Sequence, residues 1–499
     1  MKKRFGFVMV LATFLMIGCL AAPLGTANPH SRGVASTPAP SWSTKLTALA
    51  SATSVGPSAL DVASGSASGI RVGPNIDVSN EPGPQSETSI AINPSNPKEI
   101  VAGSNEIFRL PMRASFSSDG GKTWGGVDLP LPLPTQTHGI DFGSDPGVAW
   151  DTLGNVYYCY IVVFFSQGFH AVVGTEMAVA RSSDGGHTWT ATFFNMQTGS
   201  SMFNDKPMIT VDTNPGSAFL NRVYVAWDAA SGPAGIQVSR SADHGATFST
   251  PVSAGIPRGI GADPFVGPDG TLYVAWQDFG DSLELVSGSV DGGLTFGRPV
   301  VIAPTLASFD VAIPAQAFRK ALIYPACGAD TSSGPNRGTL SCSWTDETPS
   351  NGMDAFVAHS TDGGRTWSSR VRVNDDPTGV ANDQFNQWLA VDPSDGSVSV
   401  SFYDTRNDPT HVSTDVFYAR STDGGNTFGT NVKVTTAPTN EAASGADFGN
   451  QYGDYEGIAA FNGVIHPVWT DRRASVASIS GLDEEVFTAT ITIGSDRPR

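Results

Sequence analysis

The chain has 499 residues and a formal charge of −18, and no run of Lys or Arg offers a footing to a nucleic-acid backbone. Its four cysteines form no CxxC or His-rich spacing, which leaves zinc and haem without a binding motif.

Lys2, Lys3 and Arg4 precede an apolar stretch from Phe5 to Leu20 and small residues up to Ala27. This pattern predicts a signal peptide over residues 1–27, too short and wrongly flanked for a membrane span. Met16-Ile17-Gly18-Cys19 leaves a second route open, a lipid anchor at Cys19. Either route exports the protein, to the medium or to the cell surface. Residues 28–69 are rich in Ser, Ala, Thr, Pro and Gly and read as a disordered linker, because they hold too little apolar surface to fold.

From there one pattern, Ser-x-Asp-x-Gly-x-Thr-Trp/Phe, recurs six times, centred on Asp119, Asp184, Asp243, Asp291, Asp362 and Asp423. The copies stand about 50 to 70 residues apart, the size of a four-stranded propeller blade with its loops. Each reads as a hairpin corner: the Asp accepts N–H bonds of its own turn, the Gly supplies positive φ, and the aromatic residue packs into the blade. A motif repeated at every corner is scaffold, not catalyst.

Each box is preceded by two apolar strands ending in an acidic residue, as in Asp205–Asp228, Asp263–Asp278 and Asp383–Asp404. Seven such pairs accompany six boxes. The last, Asp454–Asp471, is followed by a third strand, Glu484–Ile493, and no fourth, whereas Ile70–Ser79 resembles a fourth strand with no first three. These ends predict that the N-terminal strand completes the last blade and removes an exposed sheet edge. The reading is therefore all-β, a seven-bladed propeller over residues 70–499, feasible as one monomeric domain because each blade packs only on its neighbours. Cys327 and Cys342 fall on paired strands of the fifth blade and suit a disulfide after export, while Cys159, in VYYCYIVV, reads as a buried thiol.

The six motifs are identified as Asp boxes, and from about residue 84 onward the chain resembles the sialidase-like superfamily. The resemblance implies a glycoside hydrolase acting on acidic sugars or polysaccharides. It carries over no catalytic residue by motif, since true sialidases have six blades and their first-strand Arg motif is matched only by a misplaced Phe108-Arg109-Leu110-Pro111.

The candidate site is the channel mouth opposite the boxes. Glu87, Asp145, Asp205, Asp263, Asp383 and Asp454 are expected there from first strands, and Glu106, Asp228, Asp278, Asp346, Asp404 and Asp471 from second strands. Such rings either bond backbone of their own or the next blade, or hold a structural calcium ion. No other cofactor is expected. Only blades six and seven follow the second-strand Asp with arginines, Arg406 and Arg472-Arg473, residues suited to a sugar carboxylate or to local pairing with Asp404 and its neighbours. Tyr455 and Glu456 complete the nominated set, although adjacent strand residues face opposite ways and do not form a nucleophile pair. Two alternatives stay open. One is a lyase using His138, His170, His411 or His466; the other is a noncatalytic glycan- or protein-binding propeller using Trp388 and Trp469.

Overall fold

Each Asp box closes on itself. In the first, Asp119 accepts the N–H groups of Lys122 and Thr123 at 3.0 Å and the Thr123 hydroxyl at 2.7 Å, while Ser117 Oγ accepts Gly121 N–H. Gly120 and Gly121 both lie at positive φ, which the corner demands. The Trp124 indole N–H returns to Gly121 O. At Asp243 the Thr247 hydroxyl, with Ser241 and Thr247 N–H, outweighs desolvation and holds the carboxyl down at about 2.

These corners join the third and fourth strands of six blades in a computed structural model, which describes residues 66–67, 69–107, 109–133, 141–165, 172–199, 204–229, 235–255, 258–349, 352–473 and 482–494. The signal peptide expected over residues 1–27, Cys19 and nearly all of the expected linker lie outside them, as do Phe108, His138 and His170. Among the described residues there is no helix long and apolar enough to cross a membrane.

Seven antiparallel sheets follow one another in chain order as seven blades. Second strands are buried along their whole length in most blades, as in Val156–Phe165 and Val223–Ala229, because each blade is sandwiched between neighbours. The expected disulfide joins Cys327 to Cys342, and Cys159 is a buried free thiol.

The ring closes as the chain ends predicted. Ile70–Asp77 pairs antiparallel with Glu485–Ile493, outside Val464–Asp471 and Gly457–Phe461. Asn75 on the closing strand donates to Val434 O of blade six and accepts from Arg473, which stitches the seam across blades. A short hairpin, Asp310–Ile313 with Gln316–Leu322, stands apart from the seven sheets between blades four and five.

Acidic groups crowd the closure seam. Burial pushes Asp77 up to about 6, Glu106 to about 7 and Glu485 to about 10, with Asp77, Glu106 and Glu81 adding their charge to the effect on Glu485. The folded state thus keeps protons that unfolded carboxyls release near pH 4, and the stabilisation, complete below that, is lost as pH climbs through 6 to 10. The urea midpoint is expected to fall between pH 5 and pH 8, with a shallower fall in Glu485→Gln; equal slopes for the two proteins contradict this. Deleting residues through Ser79 is expected to lower the melting temperature by roughly 10 °C or more, and deletion to residue 60 to leave it unchanged.

Candidate functional site

The first strands of five blades break register at their mouth ends, between Ser86 and Ser89, Ser144 and Gly147, Asp205 and Met208, Ile260 and Asp263, and Phe385 and Trp388. Each break holds a residue in the left-handed region: Glu87, Asp145, Lys206, Gly261 and Asn386. Bulges of this kind re-aim side chains, and non-glycine residues in them cost about 1–3 kcal/mol each. Lys206 is the one cation of the five.

Lys206 is only 3% exposed. Its ammonium lies 4.5 Å from the Tyr324 ring centroid, 4.7 Å from that of Tyr455 and 5.2 Å from that of Trp388. Among the described residues no acceptor hydrogen-bonds Nζ. Burial lowers its pKa, against the opposing charges of Asp228, Asp263, Asp454 and Asp145. Beside it, the Asn105 amide bridges Glu87 and Asp145, and Asp145 accepts the Lys206 N–H. Burial, with Asp454 foremost among the charges acting on Glu87 and Asp145 among those acting on Asp205, raises both groups well above the usual range. Trp388, Tyr455 and Asp263 also line a channel cavity of about 170 Å³, room for a few waters.

The hairpin Asp310–Leu322 forms a strap over this centre. It leaves the ring between blades four and five and is held on the far side: Gln451 Oε1 accepts the N–H groups of Phe318 and Arg319, and Gln316 donates to Gly453 O. Arg319 pairs with Asp454 at 2.6 Å and Glu87 at 2.8 Å. Its Ile313, Ala315 and Ala321, with Ile323 just beyond it, join the largest apolar cluster, so it is built into the fold.

The mouth carboxylates stitch blades together, as one of the two sequence readings held. Asp145 accepts Lys206 N–H, Asp228 accepts Gly261 and Ala262 N–H, and Asp263 accepts Cys327 N–H. Among the described residues no group of three or more His, Cys, Asp or Glu side chains has the arrangement to hold a metal ion.

The nominated arginines are engaged elsewhere. Arg406 donates to buried Asp404 at 2.8 Å, to Asp375 and to Asn431, and lies over Phe417. Arg473 holds Asp471 in the same way over Phe487, and Arg370 holds Asp346 over Phe356. Blade five therefore carries the same clamp with an Arg from its fourth-strand side, and the device repeats where sequence had suggested an exception. Arg472 bonds Asp483, Asn440 O and Ser444 O, sharing no acceptor with Arg406. Tyr455 joins the Lys206 cage. Glu456, pushed up to about 8 by burial, is bonded by Thr88, Tyr403 and Thr470 N–H. Arg109 pairs with Glu81 and Asp128. His466 is buried, and Trp469 is buried with its indole N–H on Asp471.

Sequence reasoning passed over Lys206 and the strap. A signal for each existed: Lys206 is a cation where the other bulges carry Glu, Asp, Gly or Asn, and Asp291 to Asp362 is the longest interval between boxes. Removing Arg406 leaves Asp404 buried and unpaired, so Arg406→Ala is expected to cost about 3–5 kcal/mol of stability in denaturant titration. Arg472→Ala, whose partner Asp483 is 27% exposed, is expected to cost about 1 kcal/mol or less. Equal costs would place the two arginines in one role.

No family model matches the chain, and no curated protein does. Solved structures similar to it include the phage phi92 endosialidase, 10% identical over 85% of this chain and 70% of that one, with a TM-score of 0.49. Another is the intramolecular trans-sialidase from Ruminococcus gnavus, 14% identical over 65% and 90% of the respective chains at a TM-score of 0.43. A third, a protein of unknown function from Dyadobacter fermentans, is 14% identical over 73% and 97% at 0.43.

Proposed function

We propose that the protein is an exported propeller that binds glycans at the strapped mouth. The observation that carries this reading is the Lys206 ammonium, desolvated among three aromatic rings with no acceptor of its own among the described residues. A buried donor without a partner is costly, and a sugar hydroxyl relieves the cost: it accepts from Nζ while donating to a neighbouring carboxylate such as Asp205 or Asp454. Trp388, the partly exposed ring of the three, suits the C–H face of the same sugar. An anionic sugar meets instead a crowd of carboxylates, with Arg406, Arg472 and Arg473 already committed.

A second reading, glycoside hydrolysis, draws on one observation, the partly exposed Asp205, whose raised pKa suits a general acid. One screen separates the two. The chain from Asn28 onward is applied to a glycan array and to fluorogenic glycosides, sialosides included. Retention on the array without fluorophore release is the expected result. Turnover that disappears in Asp205→Asn establishes the hydrolase, and neither retention nor turnover removes both readings.

A further inference from the structure

The strap carries a second feature over the mouth. Of the large apolar side chains exposed among the described residues, only two are aromatic, Phe318 at 76% and Phe448 at 43%. They are neighbours. Their ring centroids lie 6.1 Å apart with an interplanar angle of 30°, although 130 residues of sequence separate them.

Their placement is fixed. Phe318 sits on the strap, where its N–H bonds Gln451 Oε1, and the Gln451 amide reaches back to Ala315 O and Glu441 O. Phe448 sits in the segment leading into blade seven, which Asp447 holds by accepting Gly449 N–H and the Asn450 amide. The next strap residue, Arg319, ties the strap to Asp454 and Glu87 beside the Lys206 centre. Two exposed rings on backbone segments held by polar contacts form a platform prepared in advance, which lowers the ordering cost of binding.

We propose that Phe318 and Phe448 form an outer subsite that stacks one pyranose ring of a neutral oligosaccharide whose end reaches toward Lys206; the assignment rests on the glycan-binding reading above. Two arguments favour a sugar ring over a protein. Two phenyl rings offer far less than the roughly 1,200 Å² that a stable protein interface buries. Nearby, Asp454 and Asp310 are balanced by Arg319 and Lys320, and the overall charge of −18 on the chain disfavours anionic glycans and anionic lipid alike. A neutral pyranose presents an apolar C–H face to the rings and hydroxyls to the rim.

The test uses the full exported chain with maltohexaose, cellohexaose, xylohexaose and mannohexaose, and with hexagalacturonate and oligosialate as anionic counterparts, titrated by calorimetry. Both side chains are exposed, so Phe318→Ala/Phe448→Ala is expected to melt with wild type. The proposal expects wild type to bind at least one neutral hexasaccharide, the double variant to bind it at least ten-fold more weakly, and Phe318→Trp to retain it. Wild-type affinity in the double variant overturns the outer subsite and leaves the Lys206 reading standing. Tighter binding of the anionic oligomers overturns the neutral assignment. Concentration-dependent dimerisation lost in the double variant reassigns the rings to a second copy of the chain. Absence of binding to every oligosaccharide removes the glycan-binding reading and the subsite with it.

Discussion

Seven blades must bring their innermost strands to one axis, and the left-handed bulge at the mouth end of those strands decides what the axis contains. A regular strand would alternate its side chains between the two flanking blades. The bulge interrupts that alternation and re-aims Glu87, Asp145, Lys206 and Asn386 at the cost of backbone strain. The strain is offset by bonds the same bulges make possible, among them Asp145 accepting the N–H of Lys206. The joining of neighbouring blades and the construction of the site are thus one structural event.

The electrostatics follow from that convergence. Carboxylates gathered at one mouth must be neutralised, bonded or protonated, and the protein uses all three. Asp346, Asp404 and Asp471 are held by Arg370, Arg406 and Arg473, each laid on a third-strand Phe. Asp228 and Asp263 accept backbone N–H groups of the next blade. Burial and the neighbouring carboxylates shift Glu87 and Asp205 toward their protonated forms. Lys206 is the exception, a cation amid acids whose nearest neighbours are aromatic faces. The strap is tied beside this centre by Arg319, which bonds Asp454 and Glu87, and carries Phe318 exposed on its outer side.

The architecture was legible because its determinants are local and repeated. Box residues bond within their own turns, strand pairs alternate with them, and the unmatched Ile70–Ser79 stretch had one open sheet edge to fill. The chemistry was less legible because it is set by contacts between distant blades. Arg406 looked like a break in the repeat, since the equivalent cation of blade five, Arg370, enters from another strand. Nothing near Lys206 in sequence announces Tyr324, Trp388 and Tyr455, which reach it from blades far along the chain. The strap reads as a spare pair of short strands until its partners Gln451, Asp454 and Glu87 are known.

The proposed functional centre is Lys206 and not the arginines, and the most direct measurement is Lys206→Met assayed for stability and neutral-oligosaccharide affinity together. A thioether suits the aromatic cage and needs no acceptor. A melting temperature at or above wild type and at least ten-fold weaker binding are expected. Unchanged affinity in a folded Lys206→Met protein would contradict that role for Lys206.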